Sequence, residues 1–191
     1  MIDFVAHFLL IKIIFFSYQK LIETKHMNQA HLHMVVNHFP IIGIIIGMIV
    51  LGVGIATKSA LSKRIGGLIL IGSSLFTFPS FETGEGAEEI VENLPGVSEN
   101  LIEKHEELAE QFMGFVWAII LIGVLSLLSE WKMKKFTNWL YISLFVISIF
   151  ATYFAKQVGT SGGEIRHTEI RKASAQQETQ SENEEKEHEE D

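Results

Sequence analysis

Residues 35–57 read VVNHFPIIGIIIGMIVLGVGIAT, with no Asp, Glu, Lys or Arg anywhere in the run. As a helix rising 1.5 Å per residue, a stretch of this length crosses the roughly 30 Å of hydrocarbon in a bilayer. Three further stretches are long and apolar enough to do the same: 65–81, 112–129 and 139–155. Backbone amides in lipid must be satisfied within their own segment, and no series of alternating ten-residue strands points to a barrel, so each stretch is expected to be a helix. Trp131, Trp139, Tyr141 and Tyr153 fall near segment ends, where amphipathic rings favour the headgroup level. The expected fold class is all-α, a polytopic four-helix transmembrane bundle.

Composition supports this reading. The chain has 191 residues, 48% of them hydrophobic, and a mean hydropathy of +0.27. Several long apolar runs cannot all hide in one soluble core of this size, which excludes a soluble enzyme. The absence of cysteine rules out a disulfide framework, Cys-ligated zinc, an iron-sulfur cluster and a thiol nucleophile. Any site must therefore use His, carboxylates, Tyr or backbone. A net charge of −8 without a dense basic patch argues against nucleic acid as a partner.

The connections set the orientation. Lys58, Lys63 and Arg64 lie between the first two apolar runs, and Lys132, Lys134 and Lys135 lie between the last two, opposed only by Glu130. By the positive-inside rule these loops face the cytoplasm. Residues 82–110 hold ten acids and one base, and 164–191 hold ten acids and four bases, so both belong outside. Residues 27–171 form the expected membrane domain. The tail 172–191 is rich in Glu, Gln and Ser and is expected to be disordered. Residues 1–26 fit less well: Ile2 to Phe16 is apolar, but Asp3 stands where a signal peptide has bases, and a fifth crossing would leave Lys20 and Lys25 outside. They read as an interfacial segment or as a mis-assigned start, with Met27 the true one.

Five of the eight histidines, His31, His33, His38, His105 and His167, map to the acidic end, and none lies in a basic loop. Imidazole is the commonest metal and haem ligand, although longer connections gather some histidines automatically. His38 precedes Pro40, which cannot donate to the carbonyl of Val36; a kinked site and a plain helix start are both compatible with that. With Ser98 as a cap, Ile102, His105, Ala109, Phe112 and Val116 form one inward stripe, while Glu103, Glu106, Glu107 and Glu110 form a separate, solvated one. Glu106 is a candidate second partner for His105. Gly162 and Gly163 permit a reversal that would fold His167 back over the bundle mouth and bring Arg166 to the acidic loop. Glu82 stands at the edge of an apolar run, where an acid is costly unless paired or coordinating. Gly43, Gly47 and Gly54 on the first helix, with Gly66, Gly67 and Gly72 on the second, suit close backbone packing.

Taken together, NHFPIIG, TGEGAEEIVENLPGVS, EKHEE and GGEIRHTEI resemble a family of uncharacterised bacterial four-helix membrane proteins. That family is itself distantly like domain-of-unknown-function proteins with a His-Phe-Pro signature on the first helix. The resemblance covers residues 31–171, with Gly86 and Thr168 standing where the family pattern often has Pro. It implies a four-helix domain in the bacterial cytoplasmic (inner) membrane and supplies no activity.

The leading expectation is a membrane protein that holds haem b or a divalent metal at its outer face, for electron transfer or redox sensing. His38, His105 and His167 are the candidate ligands, two sufficing for a bis-His haem and three with Glu82 for a metal; Arg166 would balance propionates or carboxylates. The rival is a non-catalytic accessory or interaction subunit whose acidic exterior meets a basic partner. A transporter is disfavoured, since no charge lies at mid-membrane. No residue is assigned a catalytic role.

Overall fold

The computed structural model describes residues 28–132 and 135–171, all in helices and short turns. The expectations for residues 1–26 and 172–191 fall outside the described residues. In chain order the helices are α1 (Gln29–Val36), α2 (His38–Ala56), α3 (Ala60–Leu75), α4 (Thr77–Val91), α5 (Glu99–Lys132) and α6 (Thr137–Arg166). α1 with α2, and α3 with α4, are continuous apart from single turn residues at Asn37 and Phe76. The result is four rods, Gln29–Ala56, Ala60–Val91, Glu99–Trp131 and Thr137–Arg166, each long and apolar enough to cross a membrane.

The first two rods form a tight hairpin because glycines line their seam. A Cβ built on Gly47 would lie 2.8 Å from Leu70, one on Gly54 would lie 2.5 Å from the Lys63 nitrogen, and one on Gly66 would lie 2.6 Å from the Leu51 nitrogen. No side chain fits at that separation. Asn28 caps α1, its Oδ1 accepting from the Ala30 amide at 2.9 Å. Ser59 caps α3 in the same way, accepting from Ser62. The turns at Asn37 and Phe76 each lie three residues before a proline, and the rings of Phe39 and Phe76 stack 5.3 Å apart. The two breaks therefore lie at one level, with Pro40 and Pro79 unable to donate to the preceding turn.

α5 and α6 form the second hairpin, which meets the first through α2 against α6 and α3 against α5. Ile44, Leu51, Leu70, Phe112, Val116, Ile119, Tyr141 and Leu144 fill the centre. Only 28–33% of each rod's most apolar window is buried, and Ile42, Ile49, Val53, Leu121, Leu128 and Phe150 point outward. That inverted dressing, apolar on both faces, suits four rods surrounded by lipid rather than water.

The acidic outer connection is short: α4 runs through Gly84 and Gly86 to Val91, α5 starts at Glu99, directly after Ser98, and 92–98 connect them. One expectation changes, because the Gly162-Gly163 pair does not reverse the chain and α6 continues through it to Arg166. The reversal comes at His167, whose backbone leaves the helix at φ −106° and ψ 97°. Arg171 then clamps the returning segment, donating to the carbonyls of Glu164 and Ile165 and, at 3.0 Å, to that of Gly96. The tie to the acidic connection is thus Arg171, while Arg166 is exposed.

Candidate functional site

The rods extend beyond their apolar cores at the acidic end, and there two imidazoles meet. His33 comes from α1 and His105 from α5, their rings perpendicular with centroids 6.3 Å apart. His105 occupies the inward stripe expected of it, between buried Ile102 and Phe112. His33 occupies the corresponding stripe of the first rod: the buried face of Pro40, Ile44, Gly47, Leu51 and Gly54 steps by three or four residues, and continuing it backward reaches His33.

Both rings are fixed by their Nδ1 atoms. His33 Nδ1 donates to the Ser80 carbonyl at 2.9 Å, with Thr83 Oγ1 at 3.3 Å. A carbonyl can only accept, which sets the tautomer. His105 Nδ1 lies 3.0 Å from Ser161 Oγ, and that hydroxyl donates its own proton to the Val158 carbonyl at 3.0 Å. Ser161 must therefore accept from His105. Each ring keeps its Nε2 lone pair unengaged by any hydrogen bond among the described residues. An imidazole anchored through Nδ1 with a bare Nε2 has the arrangement of a metal ligand with its supporting shell.

Glycines press against both rings. A Cβ on Gly162 would lie 3.0 Å from His105 Cε1, and one on Gly84 would lie 3.6 Å from His33 Cε1. Residues from all four rods thus converge: His33 from the first, Ser80, Thr83 and Gly84 from the second, His105 from the third, and Ser161 and Gly162 from the fourth.

The other expected site residues lie elsewhere. His38 is exposed on α2, its Nδ1 turned back to the Met34 carbonyl at 2.5 Å, because five residues of helix rotate it off the face that holds His33. His167 is exposed beyond α6 and pairs with Glu169 at 2.9 Å. The Glu169 carboxyl is held below the usual carboxylate range by its own backbone N–H and then by His167. Glu82 and Arg166 are exposed. Glu106 turns to Glu88 on α4 rather than to His105. So His105 alone of the expected ligands faces the pair, and among the described residues no group of three or more His, Asp or Glu could hold a metal.

The basic end carries its own polar cluster. Glu130 on α5 accepts from Arg64 on α3 through both Nε, at 2.9 Å, and a terminal nitrogen. Its other oxygen accepts from Tyr141 on α6 at 2.7 Å. Lys63 donates to Asn138 at 2.8 Å and lies 5.7 Å from the centre of the Tyr141 ring. No family model, curated protein or solved structure matches the chain.

Proposed function

We propose that this chain is a multi-pass protein of a bacterial cytoplasmic membrane, with its acidic end outside, that holds one redox metal centre between the Nε2 atoms of His33 and His105. The observation that carries this reading is the imidazole pair itself: two rings from different hairpins, both anchored through Nδ1, with centroids 6.3 Å apart. Because only two imidazoles meet here and no third ligand stands beside them among the described residues, haem b, whose iron takes two protein ligands, would suit the pair better than a bare ion. Haem would supply one-electron iron chemistry; His33 and His105 would hold it above the apolar core. Electron transfer or redox sensing at the outer face follows from that position.

The test is an absorption spectrum of the detergent-purified protein with metal analysis of the same sample. A Soret band is expected, lost in His33→Ala and in His105→Ala and kept in His38→Ala, His167→Ala and His188→Ala. A wild-type protein with neither a Soret band nor stoichiometric metal sinks the proposal. A second reading, an accessory subunit that docks a basic partner, is favoured by the exposed acids Glu103, Glu107 and Glu110 along α5 and would then stand.

A further inference from the structure

The basic end carries more cations than its closed cluster uses. Glu130 is the one acid in residues 40–81 and 111–163, and both its oxygens are taken, Oε2 by Arg64 and Oε1 by Tyr141. The side-chain oxygen of Asn138 is taken by Lys63. Lys58 and Lys135 are exposed, with no acid partner among the described residues. Lys132 and Lys134 add two charges to the sequence of the same connection as Lys135. Donors are therefore in surplus there, and what is missing is an anion.

These cations are gathered at one end by both hairpins. The Lys63–Asn138 hydrogen bond, 2.8 Å long, ties the start of α3 to the start of α6. Lys58 stands five residues before Lys63, and Lys135 three before Asn138, so each connection adds a free amine beside that tie. The surface around them is apolar: Trp131 is 81% exposed, Trp139 is 70% exposed, and Leu61 and Phe136 also point outward. Indole rings favour the depth of lipid headgroups, and lysine stems lie along apolar surface while their amines reach that same depth. The acidic end is the reverse, with Glu103, Glu107 and Glu110 exposed.

We propose that the basic end binds anionic phospholipid headgroups of the surrounding bilayer, with Lys58 and Lys135 as the principal contacts and the exposed half of Arg64 beside them. A headgroup phosphodiester only accepts hydrogen bonds, so it takes the donors that Glu130 cannot. In a zwitterionic headgroup the phosphate is already balanced by an ammonium that the lysines repel, so the end distinguishes the two lipid classes. This inference does not depend on the histidine pair.

Quenching of tryptophan fluorescence by brominated lipid tests it in the full-length chain. The chain has three tryptophans, and Trp117→Phe leaves only Trp131 and Trp139, both at the basic end. The protein is placed in mixed vesicles of phosphatidylcholine and phosphatidylglycerol, with one or the other lipid brominated. Phosphatidylglycerol is expected beside the indoles at about fivefold its share of the bilayer, the scale set by one unneutralised surface cation. Lys58→Asn combined with Lys135→Gln should bring that ratio close to one; asparagine suits the φ of 56° at Lys58. Lys156→Gln, which removes an exposed cation of α6 away from this end, should leave the ratio unchanged. Equal quenching by the two lipids in the parent protein overturns the proposal, as does a ratio that survives the double substitution or falls equally in Lys156→Gln. Loss of the preference on adding inorganic phosphate at matched ionic strength would overturn it in favour of a site for free phosphate.

Discussion

The two ends of the bundle each gather polar groups from several helices, yet they are built on opposite principles. At the basic end Glu130 accepts from Arg64 and Tyr141, and Lys63 finds Asn138, so the cluster is closed upon itself. At the acidic end the side-chain hydrogen bonds of His33 and His105 go to their Nδ1 atoms, and their Nε2 atoms take no hydrogen bond among the described residues. A closed cluster welds helices together, and an open one has valence left for a guest. The contrast teaches that hydrogen bonds between helices can build either a lock or a seat, depending on whether acceptors are exhausted.

The largest effect that bears on this contrast is all-or-none and concerns sidedness. In intact cells an impermeant thiol reagent should label Ser98→Cys, in the acidic connection, and leave Ser59→Cys, in the basic one, untouched. The reverse pattern would place the open end inside the cell and remove the outer-face reading. Next in size is Glu130→Leu, which strands the Tyr141 hydroxyl and frees Arg64. Because Arg64 is half exposed, the expected loss of stability in detergent unfolding comes mainly from the stranded Tyr141 hydroxyl rather than from the ion pair. The absorption spectrum should not change, and loss of a cofactor in this variant would blur the division between lock and seat. Tyr141→Phe removes one hydrogen bond to a charged acceptor and should cost about 1–2 kcal/mol in the same assay.

The smallest effect lies beyond α6. Glu169 has its folded-state pKa depressed, so its contribution is present above the unfolded carboxylate value and is lost as pH falls through the folded one. His167→Ala should move the Glu169 titration upward in an NMR titration and leave the absorption spectrum unchanged. An unchanged titration would show that the backbone N–H alone depresses it.

Much of the fold was legible in the sequence because membrane helices announce themselves by length: the four apolar stretches became four rods, and the stripe from Ile102 to Val116 turned inward as its spacing required. What hydropathy could not show was where each helix ends, since the extensions beyond the apolar core are polar. Starting the first helix at Val35 cut off His33 and left His38 as its most prominent histidine. Reading Asn28 as a cap and carrying the face of Pro40 and Ile44 back two turns would have exchanged them. Ser161 gave less warning, because a serine after two turns of mixed residues has no pattern until the rod is known to reach Arg166. Glu82 stands out in the sequence for its charge at the edge of an apolar run and Arg166 for its charge beside the Gly pair, and neither depth nor charge says which side of a helix a residue occupies.

The paired breaks at Asn37 and Phe76 interrupt the first two rods at one level, whereas α5 and α6 pass that level unbroken. His33 and His105 therefore reach the acidic end by different routes: His33 sits beyond a turn residue that separates α1 from α2, and His105 on a helix that runs without a break. The glycine seam, which lies on the far side of both turn residues, packs the first two rods independently of the ring pair.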